Sequence, residues 1–279
     1  MISRLSERTD GVFRGADAMR VGVTRKQLYA LVGADALERV LPDTYRMTAV
    51  ARSPRQRLRA ALLWAGSGSA ALVRSAGETY GLEGVRASQP EIATPDSFRG
   101  RAQSVIVHRY DVASPLMLRM HNGLRVTGPE ATIVALGAVL TSESHEVACE
   151  DARRRGLTSV TALQRYLTDH QGRRGAGVTR ALLDELDPVH PSRSTLEVKT
   201  RRLLVGHGIR DFVREFPLDS NGRTYYFDFA FQRERVILET NGRRWHDDPN
   251  DYEEDNEKWS VPARYGYRIV FRHVEQGDV

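Results

Sequence analysis

The chain has 279 residues, enough for two or three domains that each bury a core of their own. Hydrophobic residues at 41% and charged residues at 28% exclude wholesale disorder, and no apolar run approaches the ~20 residues of a membrane helix. A single cysteine, Cys149, excludes an internal disulfide and any cysteine-built zinc site. The first residues lack the apolar stretch of a signal peptide, so a cytoplasmic protein without membrane contacts is expected.

The net charge of +5 is unevenly spread. Through residue 60 the chain holds twelve Arg and Lys against six Asp and Glu, an excess of six positive charges. A basic end on a near-neutral body is the electrostatic footprint of a nucleic-acid binder. Within it, Val12, Phe13, Ala16 and Met19 recur at helical spacing, and Gly22 breaks that pattern. Thr24 is a natural N-cap for a helix running from Arg25 to Leu31. A third short helix is expected over 34–39, then a ribbon of Val40-Leu41 and Thr44–Met47 around the turn Pro42-Asp43. This outline is a winged helix-turn-helix over residues 1–50. It offers Arg25, Lys26 and Gln27 to the major groove of double-stranded DNA, and Arg39 or Arg46 to phosphates from the wing. A helical bundle used for packing or dimerisation is the bland alternative.

The same stretch resembles the N-terminal domain of AbiEi-family antitoxins, through Gly-Val-Thr-Arg-x-Gln-Leu at 22–28 and Leu-Glu-Arg-Val…Thr-Tyr-Arg at 37–46. The resemblance implies a DNA-binding regulator with a possible cognate toxin as partner. It runs on, less specifically, into a middle region at 51–188. Helices are expected there over 53–65 and 70–80, and strands at 91–95, 104–109 and 124–127. A helix over 129–140 and one or two more over 143–170 follow. Gln171–Gly177 reads as a flexible junction, and a helix over 178–186 is stopped by Pro188 and Pro191. His108, His121 and His145 are scattered and form no reactive constellation.

The last region, 189–279, carries the chemistry. A helix over 195–206 bears Glu197 beside its apolar face, and 212–218 reads as a strand. Two aromatic and β-branched runs, 225–231 and 236–241, flank a charged turn and form an antiparallel hairpin. Asp228 sits among apolar residues of the first run, and Glu239 closes the second. A half-buried carboxylate is costly unless paired, hydrogen-bonded or metal-bound. Two of them on adjacent strands invite a hard divalent cation such as Mg2+ or Mn2+. A helix over 251–264 and a strand over 267–272 complete the order αβββαβ.

Helix Glu, strand Asp and Glu-x-polar are the residue order of the PD-(D/E)xK nucleases. Residues 192–273 are also similar to Vsr-like endonucleases through Asp228, Phe229, Val236, Ile237, Thr240, Asn241, Gly242, Trp245 and His246. The resemblance implies a restriction-endonuclease-like core, and hence an α/β chain, α+β overall. It implies metal ligation by Asp228, Glu239 and the Thr240 carbonyl, with Glu197 on a bound water or a second ion. It also implies His246 as the base, and Asp255 and Lys258 lining the site. Asn241 stands where the broad superfamily has lysine, and seven acids in 246–258 call for compensation, to which Arg243 and Arg244 are suited. Two readings therefore stay open: a Mg2+-dependent DNA endonuclease in phage defence, toxin–antitoxin or repair, and a non-catalytic regulator that keeps the nuclease fold for binding. An RNA nuclease is a third.

Overall fold

The computed structural model describes residues 2–7, 9–187, 191–192, 194–241 and 249–273. It is a mixed α/β chain that divides into two compact units, Met1–Leu186 and Asp187–Val279. None of the helices described is long and apolar enough to cross a membrane.

The first unit opens with α1 (Ile2–Ser6), β1 (Val12–Arg14), α2 (Gly15–Arg20), α3 (Arg25–Gly33), β2 (Leu37–Leu41) and β3 (Thr44–Met47). The strands form an antiparallel sheet in the order β1-β3-β2. Two expectations from helical spacing are corrected here. Val12 and Phe13 are strand residues, and the stretch after Ala36 is β2 rather than a third helix. The reason is burial on both sides of a sheet. Val12 and Phe13 are consecutive and fully buried, which a strand between two packed layers permits because neighbouring side chains face opposite ways. Phe13, Leu37 and Tyr45 pack with Ala18, Val23 and Leu28 of the helical layer. Val12 and Leu41 face the other way, into the larger core shared with the next helix.

That helix, α4 (Pro54–Ala65), starts on a Ser53 cap with Pro54 at its first position. Arg59 pairs with Asp10 at 2.6 Å, and the Gln56 amide donates to the Asp10 carbonyl at 2.8 Å. The middle region follows as β4 (Ala70–Ala71), α5 (Val73–Tyr80), β5 (Glu91–Pro95), β6 (Ile106–Tyr110), β7 (Arg119–His121) and β8 (Leu124–Val126). Its strands form a five-stranded mixed sheet ordered β6-β5-β4-β8-β7. Helices α6 (Pro129–Leu136), α7 (Ser142–Arg154), α8 (Val160–Asp169) and α9 (Ala176–Glu185) complete the unit. Pro129 through Leu136 is apolar around nearly its whole circumference, and α6 is accordingly buried among α5, α7, α8 and α9.

The second unit is α10 (Thr195–Gly206), β9 (Val213–Ser220), β10 (Arg223–Phe231), β11 (Val236–Asn241), α11 (Pro249–Arg264) and β12 (Arg268–His273). Its sheet is ordered β12-β11-β10-β9, antiparallel except for the parallel β11–β12 pair. The turn Asn221-Gly222, with φ of 51° and 76°, joins β9 to β10. Two positive φ values suit the hairpin turn whose twist matches the strands, and Asn-Gly is the pair that adopts it most cheaply.

Within the expected flexible junction at 171–177, Gly175 is a packed corner. Gly175, at φ 87°, caps α9 and lies so close to α6 that an added Cβ would stand 1.9 Å from the Val134 carbonyl oxygen. Sequence composition marked the glycines, but only packing distinguishes a hinge from a close approach. Gly175→Ala should cost about 2–4 kcal/mol, since backbone must move. Gly172→Ala, whose Cβ meets nothing, should cost only about 1 kcal/mol through its positive φ. Thermal melting of the two variants checks this, with a Tm drop at least twice as large for Gly175→Ala.

Candidate functional site

Two constellations stand out, one in each unit. In the first, α3 begins on a complete capping box. The Gln27 amide N–H donates to Thr24 Oγ1 at 3.2 Å, and the Thr24 N–H donates to Gln27 Oε1 at 2.8 Å. Gln27 is therefore engaged in holding the helix start rather than turned toward a base edge. Arg25 and Lys26 are exposed beside it, and Tyr29 follows one turn later with 67% of its surface in solvent. No acid lies on α3. Tyr29, not singled out from the sequence, shares an exposed face of α3 with Arg25 through its i, i+4 spacing.

The two wing arginines separate. Arg39 is exposed on β2. Arg46 is only 8% exposed: its Nε lies 2.6 Å from Glu38 Oε2, and Nη1 donates to the Val50 carbonyl at 2.9 Å. Arg46 thus ties β3 to β2 and to the chain leaving the wing, a structural task that takes it away from phosphates. The register explains it, because Arg46 follows Tyr45 and so faces away from the α3 layer.

In the second unit, hairpin register builds a row of carboxylates. Ser220 pairs with Arg223 across the Asn221-Gly222 turn, and the ladder continues through Phe227–Phe216 to Phe229–Arg214. Glu215 therefore stands opposite Asp228. On the other side Phe229 pairs with Leu238, so Asp228 stands opposite Glu239. Glu215, Asp228 and Glu239 form one line across β9, β10 and β11. Like charges directly opposite one another destabilise a sheet unless something compensates them. Glu215, with φ 49°, was not anticipated, although the Asn-Gly turn fixes the register that places it.

Partners hold the row in place. Asp228 Oδ2 accepts from the Thr240 N–H at 2.7 Å and from its hydroxyl at 2.5 Å. Glu239 is 3% exposed, and Lys258 of α11 brings Nζ to 2.7 Å from its Oε1. The same ammonium lies over the Phe227 ring at 5.1 Å. Glu197, buried on α10 behind a Ser194 cap, lies 2.9 Å from Arg214, which also donates to Ser192 at 2.7 Å. Glu197, Glu215 and Asp228 each offer an oxygen within 4.8 Å of the others.

The Glu239 carboxyl is pushed up to about 7, by burial first and by the negative charge of Asp228 next, with Lys258 opposing both. Of the residues expected from sequence, Asp228, Glu239, Thr240, Glu197 and Lys258 are brought together here. Asn241 closes β11. His246, Arg243 and Arg244 lie outside the described residues.

Residues 1–48 match the family model described as "Transcriptional regulator, AbiEi antitoxin". No curated protein matches the chain. Among solved structures, the chain is similar to the crystal structure of the RV2827C protein from Mycobacterium tuberculosis. The identity is 20%, the TM-score 0.49, and the match covers 72% of this chain and 79% of that one.

Two outcomes are expected from this geometry. Arg25→Ala and Lys26→Ala should each weaken DNA binding and reduce the dependence of log K on log salt by about 0.9 per lost phosphate contact. Arg46→Ala should instead lower stability, by about 1–3 kcal/mol, as its buried partners lose their donor. Salt-titrated binding and denaturant unfolding separate the two classes. For Glu239, a folded-state value above the unfolded one means that its full contribution to stability is present below about pH 4.5. That contribution is lost as pH rises through about 7. Glu239→Gln, measured in chelator, should flatten this decline and melt higher than wild type at pH 8. A steeper decline in the variant would contradict the assignment.

Proposed function

We propose that the chain is a DNA-binding regulator whose second unit is a divalent-metal-dependent DNA endonuclease. The match at residues 1–48 and the exposed cationic start of α3 support the first part. A cognate toxin is the protein partner that the family description suggests. The nuclease reading rests on one observation above others. Asp228 and Glu239 stand opposite one another on the two central strands of an αβββαβ core, with Lys258 Nζ 2.7 Å from Glu239. Lys258 reaches from α11 to the place that Asn241, in the strand, leaves without a cation.

The donor set fits a hard divalent ion. It consists of carboxylate oxygens, and those of Glu197, Glu215 and Asp228 already lie within 4.8 Å of one another, close to the span of a magnesium coordination shell. Asp228, pinned by Thr240, would hold the ion together with Glu239, the pair expected from sequence, and Glu215 and Glu197 cluster around Asp228. When bound, the ion supplies neutralisation of the charge that develops on the scissile phosphate. Glu239 must first lose its proton, which Lys258 favours and burial opposes. Lys258 then orients the phosphate as a fixed point charge. Arg214 pairs with Glu197 and holds its carboxylate beside Glu215 and Asp228. His246 is the proposed base that takes the proton from the attacking water, its near-neutral intrinsic pKa suiting the task.

A second reading has its own observation. Lys258 on Glu239 and Arg214 on Glu197 satisfy two buried carboxylates from within the chain, as a binding-only descendant of the fold would require. Incubation of the full chain with supercoiled plasmid, with Mg2+ and with chelator, distinguishes the two. Cleavage should require the metal, vanish in Asp228→Ala, and fall about 10²–10³-fold in Lys258→Ala with DNA binding retained. His246→Ala should lower it about 10²–10⁴-fold. Absence of cleavage with either Mg2+ or Mn2+ would leave the regulator, and cleavage confined to a labelled RNA would reassign the substrate.

A further inference from the structure

A cavity of about 320 Å3 lies in the first unit, between the wing sheet, α4 and the middle region. Its floor is apolar, with Val12, Ala60 and Val105. Its rim is cationic, with Arg39, Arg52 and Arg57 exposed and Arg46 buried at the side. The one carboxylate lining it, Glu38, is already engaged by Arg46 at 2.6 Å and by Arg52 at 2.9 Å. Among the described residues no carboxylate forms an ion pair with Arg39 or Arg57. The volume is at the lower end of small-molecule sites, and an apolar floor with a few convergent polar groups is their usual lining.

The cavity also lies on a definite side of the sheet. Val12 and Arg46 line it, whereas their neighbours Phe13 and Tyr45 pack on the α2 and α3 layer. Strand alternation therefore puts it on the face opposite the helix that offers Arg25 and Lys26 to DNA. Guanidinium groups recognise carboxylate and phosphate through charge-assisted, often bidentate hydrogen bonds. We infer that this cavity is a binding site for a small anion on an apolar body, a carboxylate or phosphate of metabolite size, whose charge is received by Arg57 of α4. Such a ligand would touch β2, α4 and the loops before β5 and β6 together, and so would set how the wing sits on the middle region.

The probe is 8-anilinonaphthalene-1-sulfonate, an anion on an apolar body, titrated into the full chain and followed by fluorescence. One saturable site is expected, with affinity lowered at least about tenfold in Arg57→Ala and unchanged Tm. N-phenyl-1-naphthylamine, the same body without the sulfonate, should bind at least about tenfold more weakly. Ser104→Trp, at an exposed lining position, should block the site independently. Equal affinity for the two probes, or equal affinity of wild type and both variants, would overturn the inference. So would displacement of the probe by one equivalent of duplex DNA, which would assign the arginines to backbone phosphates.

Discussion

The second unit is organised around an electrostatic conflict that its own strand register creates. The Asn221-Gly222 turn sets the β9–β10 pairing, and the β10–β11 pairing follows from Phe229–Leu238. Together they line up Glu215, Asp228 and Glu239 across three strands. Taking such groups out of water in one row is unfavourable unless protons, cations or hydrogen bonds offset the cost. The chain supplies some of each. Thr240 donates twice to Asp228, Lys258 approaches Glu239, and Glu239 itself is pushed toward holding a proton near neutrality. The rest of the unit serves this arrangement. Helix α10 delivers Glu197 and helix α11 delivers Lys258, each from a different side of the chain's order.

A perturbed carboxyl beside a charge partner is a common mark of a functional site, though structural ion pairs produce the same signature. Thr240, the residue after Glu239, gives both its N–H and its hydroxyl to Asp228, so strand end and carboxylate are fixed to one another. Fixing a carboxylate in this way removes rotamer freedom before any ligand arrives, which is how sites lower the cost of binding.

The first unit works through a sheet with two different faces. One face carries Phe13, Leu37 and Tyr45 into the helical layer that ends in α3. The other carries Val12 and Leu41 into the core shared with α4 and the middle region. A three-stranded sheet is thin, so a change on one face reaches the other through the same backbone. Arg46 stands at that junction, tied to Glu38 on β2 and to the Val50 carbonyl. Its burial explains why a basic residue in a wing need not be a phosphate contact.

Much was legible in the sequence because the signals were local. Thr24 announced the N-cap of α3, Ser53-Pro54 the start of α4, and the aromatic and β-branched runs the β10–β11 hairpin. Asp228 and Glu239 could be singled out by residue type and their places on adjacent strands, since the strand period fixes which positions share a side, and Lys258 by the family resemblance. What the sequence could not decide depended on partners distant along the chain. Val12 and Phe13 satisfy a helical pattern until β3 is there to pair with them. Gly175 looks like a hinge until α6 lies against it. Arg46 looks like a surface cation until Glu38 and Val50 close around it. Local propensity amounts to a few tenths of a kcal/mol per residue, and burial of a large side chain to about 1.5–3 kcal/mol. Where the two disagree, the tertiary contact prevails.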